Sequence, residues 1–221
     1  MTKSETAHPR HAGATRRRIL DAALGEFSTH GFDGARVDRV AASAEVSKPM
    51  IYSYFGDKDA LYKAALKEAY VQIRAGEREI ATEHMDPEEA IRKLVRFTME
   101  HFVQKPWFIT MLNTENLRKG ETVREIENVV EIQSTLIAQL RNILERGAAA
   151  GQFRTGIDPA ELYVMMASLC FFPVSNRHTL RVVFEVPIDA AWLTRQAEEA
   201  GEMLVRYLRI DPGSETPKQT N

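Results

Sequence analysis

The sequence lacks the features of secreted and membrane proteins. It has a single cysteine, Cys170, inside the apolar segment MMASLCFF, so no disulfide can form within the chain and a reducing compartment is expected. We expect this thiol to be buried and unreactive. The N-terminal MTKSETAHPRHAGATRRR has no apolar core typical of a signal peptide, and no segment approaches the roughly 20 apolar residues that cross a bilayer. These absences predict a cytoplasmic protein without membrane contact.

The chain also lacks an excess of charge of one sign. Its formal net charge is -2, which gives no general reason to expect nucleic-acid binding. Positive charge is concentrated only at the start, because residues 1–20 contain five lysines and arginines and one acid, Glu5, for a local charge of 5 − 1 = +4. Any contact with DNA must therefore come from local groups of basic residues.

Motifs for catalysis are missing as well. The histidines His30, His84, His101 and His178 lie far apart, without HExxH or a paired His-carboxylate spacing, and Cys170 has no evident base. Neither GxxxxGK[ST] nor GxGxxG is present to hold phosphates. We therefore expect no metal, no cofactor and no enzymatic activity, although an all-α enzyme or small-molecule carrier remains an alternative.

Helical periodicity is present almost everywhere, and convincing runs of alternating β-branched residues are absent, so the sequence predicts an all-α fold. We expect about nine helices, the first from Thr15 to His30 with Gly31 as its left-handed stop, and one continuous helix from Glu121 to about Ala149. The boundary between a small and a large part falls near residue 57, and both ends are expected to be mobile. The expected helices start near Thr15, Val37, Ser47, Asp57, Asp86, Pro106, Glu121, Asp158 and Asp189.

The segment VSKPMIYSYFGDKDALY, residues 46–62, has the pattern of a short helix with two different faces. Ser47 is a good cap and Pro49 suits the first turn. A turn of 100° per residue places Ile51 and Phe55 together on the face toward the first helix. Proline, methionine and tyrosine side chains are then left near water, which indicates a partner surface.

A major groove of B-DNA accepts a helix of this size, and the first turn of such a helix reaches the base edges. Methionine or proline can contact a thymine methyl, lysine can donate to guanine, and Lys58 at the start of the next helix suits a phosphate. Arg16, Arg17 and Arg18 could hold the flanking backbone or minor groove. The alternative is that the aromatic residues are the core of a small three-helix unit whose arginines are simply solvated.

These residues resemble a known family. The stretch GFDGARVDRVAASAEVSKPMIYSYFGDKDALY is similar to the DNA-binding domain of tetracycline-repressor (TetR) family regulators: its glycine-aromatic turn, Val40-Ala41, Val46-Ser47, Ile51-Tyr52, Phe55 and Lys58 hold the family's spacing. The resemblance covers about Arg16 to Leu61. It implies that Lys58 binds a phosphate and that the recognition helix carries Lys48, Pro49, Met50, Tyr52, Ser53 and Tyr54. Ser47, Arg16, Arg17, Arg18 and Arg36 complete the set of expected DNA contacts.

One departure from the family concerns Ala35 and Arg36, where threonine or serine is common before the second helix. The missing hydroxyl removes a cap worth about 1 kcal/mol and a usual phosphate contact. We expect Arg36 to replace that contact by its charge, which is not part of the family's pattern. The implied organisation is an N-terminal arm (1–14), a helix-turn-helix domain (15–57), a ligand-binding and dimerisation domain (58–210) and a mobile tail (211–221).

The larger part mixes bulky apolar and polar groups on adjacent helical turns, as a mostly apolar site for a small polar effector requires. Its fragments FITMLNTENLRKG and SLCFFPVSNRHTL are weakly similar to the subgroup that includes the pyrimidine-utilisation regulator. Core packing or an interface would explain the same residues. The candidate effector-binding residues are Trp107, Phe108, Met111, Asn113, Glu115, Asn116, Phe171, Phe172 and Asn176.

The helices that open at Asp158 and Asp189 are apolar along broad faces, so two copies could pair through them into a four-helix interface. We therefore expect a homodimeric repressor that binds a palindromic operator in double-stranded DNA and is released by a small-molecule effector. The identity of that effector, the operator and the sign of regulation stay open. An architectural DNA binder without an effector is the other alternative.

Overall fold

The protein is described here by a computed structural model of residues 9–210, which form eleven helices. Within that range there is no β-strand, and one isolated bridge joins Phe153 to Arg209. The predicted all-α class is confirmed. The helices are α1 Pro9–Gly34, α2 Val37–Ser43, α3 Lys48–Phe55, α4 Lys58–Arg78, α5 Pro87–Gln104, α6 Pro106–Leu117, α7 Glu121–Arg124, α8 Val129–Ala149, α9 Pro159–Ser175, α10 Arg177–Val183 and α11 Ala190–Leu208.

Helix starts follow the capping residues that the sequence indicated. Ser47 accepts a hydrogen bond from the Met50 amide, and the Asp57 carboxylate accepts one from the Ala60 amide at 2.7 Å. Asp86 Oδ1, Asp158 Oδ1 and Asp189 Oδ1 each accept from amides in the first turn of the following helix. Each carboxylate or hydroxyl satisfies backbone donors that the helix itself cannot pair, which fixes where the chain turns.

The first helix starts earlier than predicted and is interrupted where its end was expected. It begins at Pro9 rather than Thr15. The predicted stop at Gly31 is present as a break, because its φ of 66° and ψ of -178° are not helical, and a short helical segment follows it up to Gly34. The glycine accommodates this conformation because it has no Cβ. Of the N-terminal arm expected over residues 1–14, positions 9–14 belong to α1 and 1–8 lie outside the described residues. The tail expected from residue 211 also lies outside them.

The helix predicted from Glu121 to Ala149 is two helices, which together with α10 explains why the described chain has eleven rather than about nine. The break falls at Asn128, which has a φ of 62°. Asparagine adopts this left-handed conformation more readily than most residues. Ile126 is buried within the connection, so the apolar spacing continues across a break in the backbone.

The chain divides into two compact units, each with its own core. The first contains residues up to 73 together with 105–132. In it α1 packs against α2 and α6, and α2 against α3. The rings of Phe27 and Phe32 meet the Tyr62 ring edge-on, with centroids 4.9 and 5.1 Å away. This aromatic cluster joins the start of α4 to α1 behind the helix-turn-helix.

The second unit contains residues 74–104 and those from 133 onward. Helix α5 packs against α9 and α11. A Cβ added at Gly201 would lie 3.4 Å from the Arg92 backbone, which shows how closely α11 approaches α5. Cys170 is fully buried in this core, its Sγ lies 3.7 Å from the Val95 carbonyl oxygen, and burial raises its pKa to about 12. No helix among residues 9–210 has the length and apolar content needed to cross a membrane.

Candidate nucleic-acid interface

Helix α3 is short but its ends are well defined. Ser47 has the extended φ and ψ of a capping residue (-79° and 149°), and its hydroxyl accepts from the Met50 amide at 3.4 Å. Pro49 lies in the first turn, where its missing N–H is not needed. Gly56 ends the helix with a φ of 91°, a conformation that disfavours side chains. These signals fix the position of eight residues, Lys48 to Phe55.

The two faces of α3 differ sharply in burial. Ile51 is 0% exposed and anchors the helix, whereas Met50 and Tyr52 are 41% and 40% exposed. Ser47, Lys48, Pro49 and Ser53 are also exposed, while Tyr54 and Phe55 are half-buried. The expectation that Ile51 belongs to the core is confirmed, and Phe55 lies at the edge of it. The helix therefore presents one continuous surface of apolar, hydroxyl and amino groups to solvent.

The turn between α2 and α3 holds this surface in place. The Val46 amide donates to the Ala41 carbonyl at 3.0 Å, and the Ala44 amide donates to the Val40 carbonyl at 2.9 Å. Glu45 has a φ of 53°, so the chain reverses within one left-handed residue. With Val40 and Ala41 buried beneath it, α2 supports α3 from behind. This is the geometry of a helix-turn-helix.

Cationic side chains flank α3. Arg16 Cζ lies 5.1 Å from the centre of the Phe55 ring, and Lys48 Nζ lies 5.9 Å from that of Tyr52. Lys58 Nζ lies 4.9 Å from the Phe32 ring centre and donates to the Asp33 carbonyl oxygen at 3.3 Å. Cation–π contacts of this kind hold the charged groups in defined positions beside the helix.

The other predicted arginines differ in what they contact. Arg17 pairs with Asp21 at 3.1 Å and with Glu68 at 2.6 Å, and Arg18 is exposed. Arg36 donates from Nε and Nη2 to both oxygens of Asp38, at 3.0 and 2.8 Å. This hydrogen-bonded pair raises the pKa of Arg36 and lowers the pKa of Asp38. The positive charge of Arg36 is therefore partly compensated by the carboxylate of Asp38 on the protein surface.

Glu26 is a residue whose role sequence reasoning missed. Its Oε1 accepts from the Arg36 amide and from Arg39 Nε, both at 2.8 Å. Burial favours protonation of this carboxyl, but the hydrogen bonds from Arg39 and the Arg36 amide outweigh it and keep the pKa of Glu26 below its ordinary value. The start of α2 has no capping side chain at Arg36, so Glu26 on α1 supplies the acceptor that local sequence does not.

Of the candidate effector-binding residues, those on α6 belong to the first unit. Phe108 and Met111 are buried and Trp107 is half-buried. The Phe108 ring meets the Tyr70 ring edge-on at 6.3 Å, and Trp107 lies 6.1 Å from Phe108. These side chains form one aromatic cluster between α4 and α6.

The polar residues of α6 have different surroundings. Glu115 is 3% exposed, and its Oε1 accepts from the amides of Thr122 and Val123 at 2.7 and 2.9 Å. Tyr62 donates to Oε2 at 3.4 Å. Asn116 is exposed and donates to the Leu112 carbonyl, and Asn113 is exposed. Glu115 therefore caps α7 and joins it to α4.

The remaining candidates, on α9 and at its end, belong to the second unit. The half-buried Phe171 meets the Phe102 ring edge-on at 6.1 Å. Phe172 is 57% exposed, and Asn176 donates to its carbonyl oxygen at 3.1 Å. The structure thus brings Phe171 to α5 and leaves Phe172 in solvent. Among the residues it describes, no group of three metal-binding side chains comes together.

Two family models match the chain. One, described as "Bacterial regulatory proteins, tetR family", matches residues 19–65, and the other, "Tetracyclin repressor-like, C-terminal domain", matches residues 87–204. The chain belongs to the TetR family. It is therefore a DNA-binding transcription regulator with an N-terminal helix-turn-helix and a C-terminal ligand-binding domain, in a family of regulators rather than enzymes.

Relatives support the same classification of this TetR-family chain. It is 37% identical over 199 residues to the HTH-type transcriptional repressor NicS of Pseudomonas putida, covering 88% of this chain and 94% of NicS. It is 30% identical over 141 residues to the HTH-type transcriptional regulator RutR of Escherichia coli strain K12, covering 62% of this chain and 66% of RutR. The second match confirms the weak similarity suggested by the two C-terminal fragments.

Solved structures show the same fold. The transcriptional regulator FadR from Bacillus subtilis, crystallised in complex with stearoyl-CoA, has a TM-score of 0.67 at 22% identity and covers 86% of this chain and 97% of its own. A TetR family transcription regulator from Marinobacter aquaeolei VT8 also has a TM-score of 0.67, at 17% identity, and covers 92% of this chain and 100% of its own. The TetR architecture is therefore shared at low sequence identity.

Proposed function

We propose that this TetR-family regulator is a homodimeric repressor that binds a palindromic operator through α3 and is released by a small-molecule effector. The observation that carries the proposal is the solvent face of α3, where apolar and hydrogen-bonding side chains stand exposed on a helix anchored by the fully buried Ile51. Apolar side chains exposed together on one face indicate a binding surface, and a helix of this size fits the major groove of DNA. The name of NicS as a transcriptional repressor favours repression.

Base reading falls to the first turn and a half of α3 in this proposal. Lys48 can donate to guanine, Met50 can pack on a thymine methyl, and the Tyr52 and Ser53 hydroxyls can bond phosphate or base edges. Lys58 and Arg16, held against Phe32 and Phe55, are the proposed phosphate contacts. In this arrangement the side chains of α3 determine sequence specificity, and the phosphate contacts of the flanking cations make the affinity depend on salt.

A second copy fits the exposed apolar positions of α9 and α11. Val164 and Phe172 on α9 are 61% and 57% exposed and lie two turns apart on one face, with Ser168 between them. Met203 and Tyr207 form a similar pair one turn apart on α11. Two copies that bury these stripes against each other form a four-helix interface. The two-fold axis of such a dimer requires an approximately palindromic operator.

Effector control is proposed to act through α4. This helix is continuous from Lys58 to Arg78, so it contains both the DNA-flanking Lys58 and residues of the second unit. A coupling of 1 to 3 kcal/mol would change operator affinity by roughly 5 to 150-fold. Trp107 and Phe108 in the first unit and, separately, Phe171 in the second unit stay candidates for effector binding. A regulator of this kind acts on chromosomal DNA, so the proposed location is the cytoplasm.

Selection of bound duplexes from a random pool tests the DNA-binding half of this proposal. The full-length protein should enrich a palindrome, and Tyr52→Ala should weaken binding to it by about 1 to 3 kcal/mol for each base that the tyrosine reads. Lys58→Ala should reduce the slope of log affinity against log salt by about 0.9 for each phosphate that the lysine neutralises. Leu117→Ala removes an exposed apolar side chain on α6 and is the matched control with unchanged binding.

The outcomes separate the proposal from its rivals. Failure of the parent protein to enrich any sequence rejects specific operator binding. Enrichment of a single half-site without symmetry rejects the dimeric operator. A protein that enriches a palindrome but whose affinity no metabolite pool changes would be an architectural binder without an effector.

A further inference from the structure

Arg74 and Glu77 form a charged pair buried in the second unit. The two side chains are only 3% and 1% exposed. Arg74 is the single buried lysine or arginine in the part of the chain whose burial is described. Removing such ions from water costs several kcal/mol each, and only well-formed hydrogen bonds recover that cost. A pair of this kind therefore needs an explanation beyond stability.

Most hydrogen-bonding groups of Arg74 and Glu77 have no aligned partner. Arg74 Nη1 lies 2.7 Å from Glu77 Oε2, yet the contact does not follow an N–H direction, and no aligned hydrogen bond reaches Nε, Nη1 or either carboxylate oxygen from the described residues. Nη2 donates only a long bond, 3.4 Å, to the Tyr163 hydroxyl. Three of the five guanidinium N–H bonds, one on Nε and two on Nη1, thus have no aligned acceptor.

The other buried carboxylate among the described residues, Glu115, is not left in this state. Glu115, which is 3% exposed, accepts two backbone amides and the Tyr62 hydroxyl. Native proteins leave few buried polar atoms unsatisfied, and such atoms commonly mark a missing ligand, water or ion. Glu115 thus uses its oxygens in hydrogen bonds that hold the fold together, whereas the oxygens of Glu77 are still available to accept hydrogen bonds from a ligand.

We propose that Arg74 and Glu77 are the polar end of the effector site and that the effector is a small carboxylate carrying a hydroxyl or amino donor. The effector carboxylate accepts from the unused N–H groups of Arg74, which is the strongest form of hydrogen bond available to a guanidinium. Its hydroxyl or amino group donates to a Glu77 oxygen. The inference rests on the proposed function, because it assigns the chemistry of the effector that function requires.

The surroundings of the pair agree with this chemistry. The Tyr163 ring lies over the guanidinium, with 5.3 Å between Arg74 Cζ and the ring centre, so one face of the cation is already covered by α9. Burial raises the pKa of Glu77 to about 7, although Arg74 opposes the shift. A carboxyl that protonates this readily repels a second anion beside Arg74 less than an ordinary glutamate does. The mixture of an aromatic wall and convergent polar groups is typical of small-molecule sites.

The location also suits control of DNA binding. Arg74 and Glu77 lie on α4, the same helix that begins with Lys58 beside α3. An effector bound to Arg74 and Glu77 adds interactions at the end of α4, beside the Tyr163 hydroxyl of α9 to which Arg74 donates. Binding energy gained in only one of two arrangements of α4 shifts their populations.

Four probe carboxylates with donors test the inference: lactate, 3-hydroxybutyrate, 4-hydroxybenzoate and 4-aminobenzoate, each beside its uncharged primary amide. Isothermal titration of full-length protein measures binding, and fluorescence anisotropy on the selected operator measures release. We expect at least one carboxylate to bind and to change the operator affinity of the parent by about 5 to 150-fold. The corresponding amide should do neither.

Three variants complete the design. Arg74→Met should abolish probe binding, whereas Arg78→Met, which removes an exposed arginine one turn further along α4, should bind the probe as the parent does. If Arg74→Met does not fold because Glu77 is left unpaired, Arg74→Met/Glu77→Leu removes both charges and replaces them with apolar groups. Circular dichroism establishes that the variant tested is folded.

Each result decides one way. Binding of a carboxylate that a folded variant without Arg74 loses, and that Arg78→Met keeps, supports the assignment. Binding of none of the four carboxylates by the parent, equal binding of an amide, or retained binding after loss of Arg74 overturns it. A parent that binds no operator in the absence of probe contradicts the proposed function, and the titration still reports on the site independently.

Discussion

Glu115 offers the sharpest test of how α6, α7 and α4 are held together. Replacing it with alanine removes the acceptor of two backbone amides, those of Thr122 and Val123, at 2.7 and 2.9 Å. Hydrogen bonds to charged groups contribute about 1.5 to 3 kcal/mol each, but the short α7 can fray and let water reach part of the site. We therefore expect Glu115→Ala to lower the free energy of unfolding by about 2 to 4 kcal/mol.

Glu115→Gln distinguishes the contribution of the acceptor oxygen from that of the negative charge. The amide keeps one acceptor oxygen for the two N–H groups of α7, so the expected loss is about 1 kcal/mol. Glu127→Ala is the matched control, because it removes an exposed carboxylate from the nearby connection and should change stability by less than about 0.5 kcal/mol. For a chain of this size, about 2 to 4 kcal/mol corresponds to a fall of roughly 4 to 16 °C in Tm.

Urea unfolding followed by circular dichroism measures all three variants at one protein concentration, because the proposed dimerisation would make stability depend on concentration. Equal losses for the alanine and glutamine variants, or an alanine variant within about 0.5 kcal/mol of the parent, would refute the capping role. The same proteins distinguish a structural residue from an effector ligand. A glutamine variant that folds normally but no longer releases its operator would return Glu115 to the effector site.

Three further outcomes are expected. Gly147→Ala should destabilise the protein by about 1 to 3 kcal/mol in thermal unfolding, because the new Cβ would lie 2.1 Å from a ring carbon of Phe153. The control is Gly25→Ala, which has open space around it and should stabilise α1 by about 0.5 to 1 kcal/mol. Phe172→Glu should give monomers in sedimentation experiments if α9 is the dimer interface. Hydrogen bonding by Arg209 lowers the pKa of Glu88 from 4.5, so its contribution to stability is present above that pH and disappears on acidification; Glu88→Gln should flatten the acid limb of the stability curve.

Local signals made the helix-turn-helix predictable from the sequence. Ser47, Pro49 and Gly56 each constrain the backbone independently of tertiary contacts, and α3 has the limits they indicated. The division of its faces followed from the helical spacing of Ile51 and Phe55, of which Ile51 is fully buried and Phe55 half-buried. Similar capping signals located the starts of most other helices, because aspartate and serine caps act within one turn.

The features that could not be predicted depend on residues far apart in sequence or on one backbone angle. The break between α7 and α8 comes from the left-handed Asn128, while the buried Ile126 preserves the apolar spacing that suggested continuity. Glu26 supports the start of α2 from ten residues away. The Arg74–Glu77 pair has the spacing of an ordinary surface ion pair, so only burial distinguishes it. Each of these needed three-dimensional information.

The insulated thiol of Cys170 makes the folded protein convenient for spectroscopy. A sulfur with no exposed surface and a pKa near 12 reacts slowly with maleimides, so the native cysteine does not have to be replaced before labelling. A cysteine introduced at an exposed position of α3, such as Ser53, would then be the preferred site for a spin label or fluorophore. Distances between two such labels in the proposed dimer would show directly whether a bound carboxylate changes the separation of the two α3 helices.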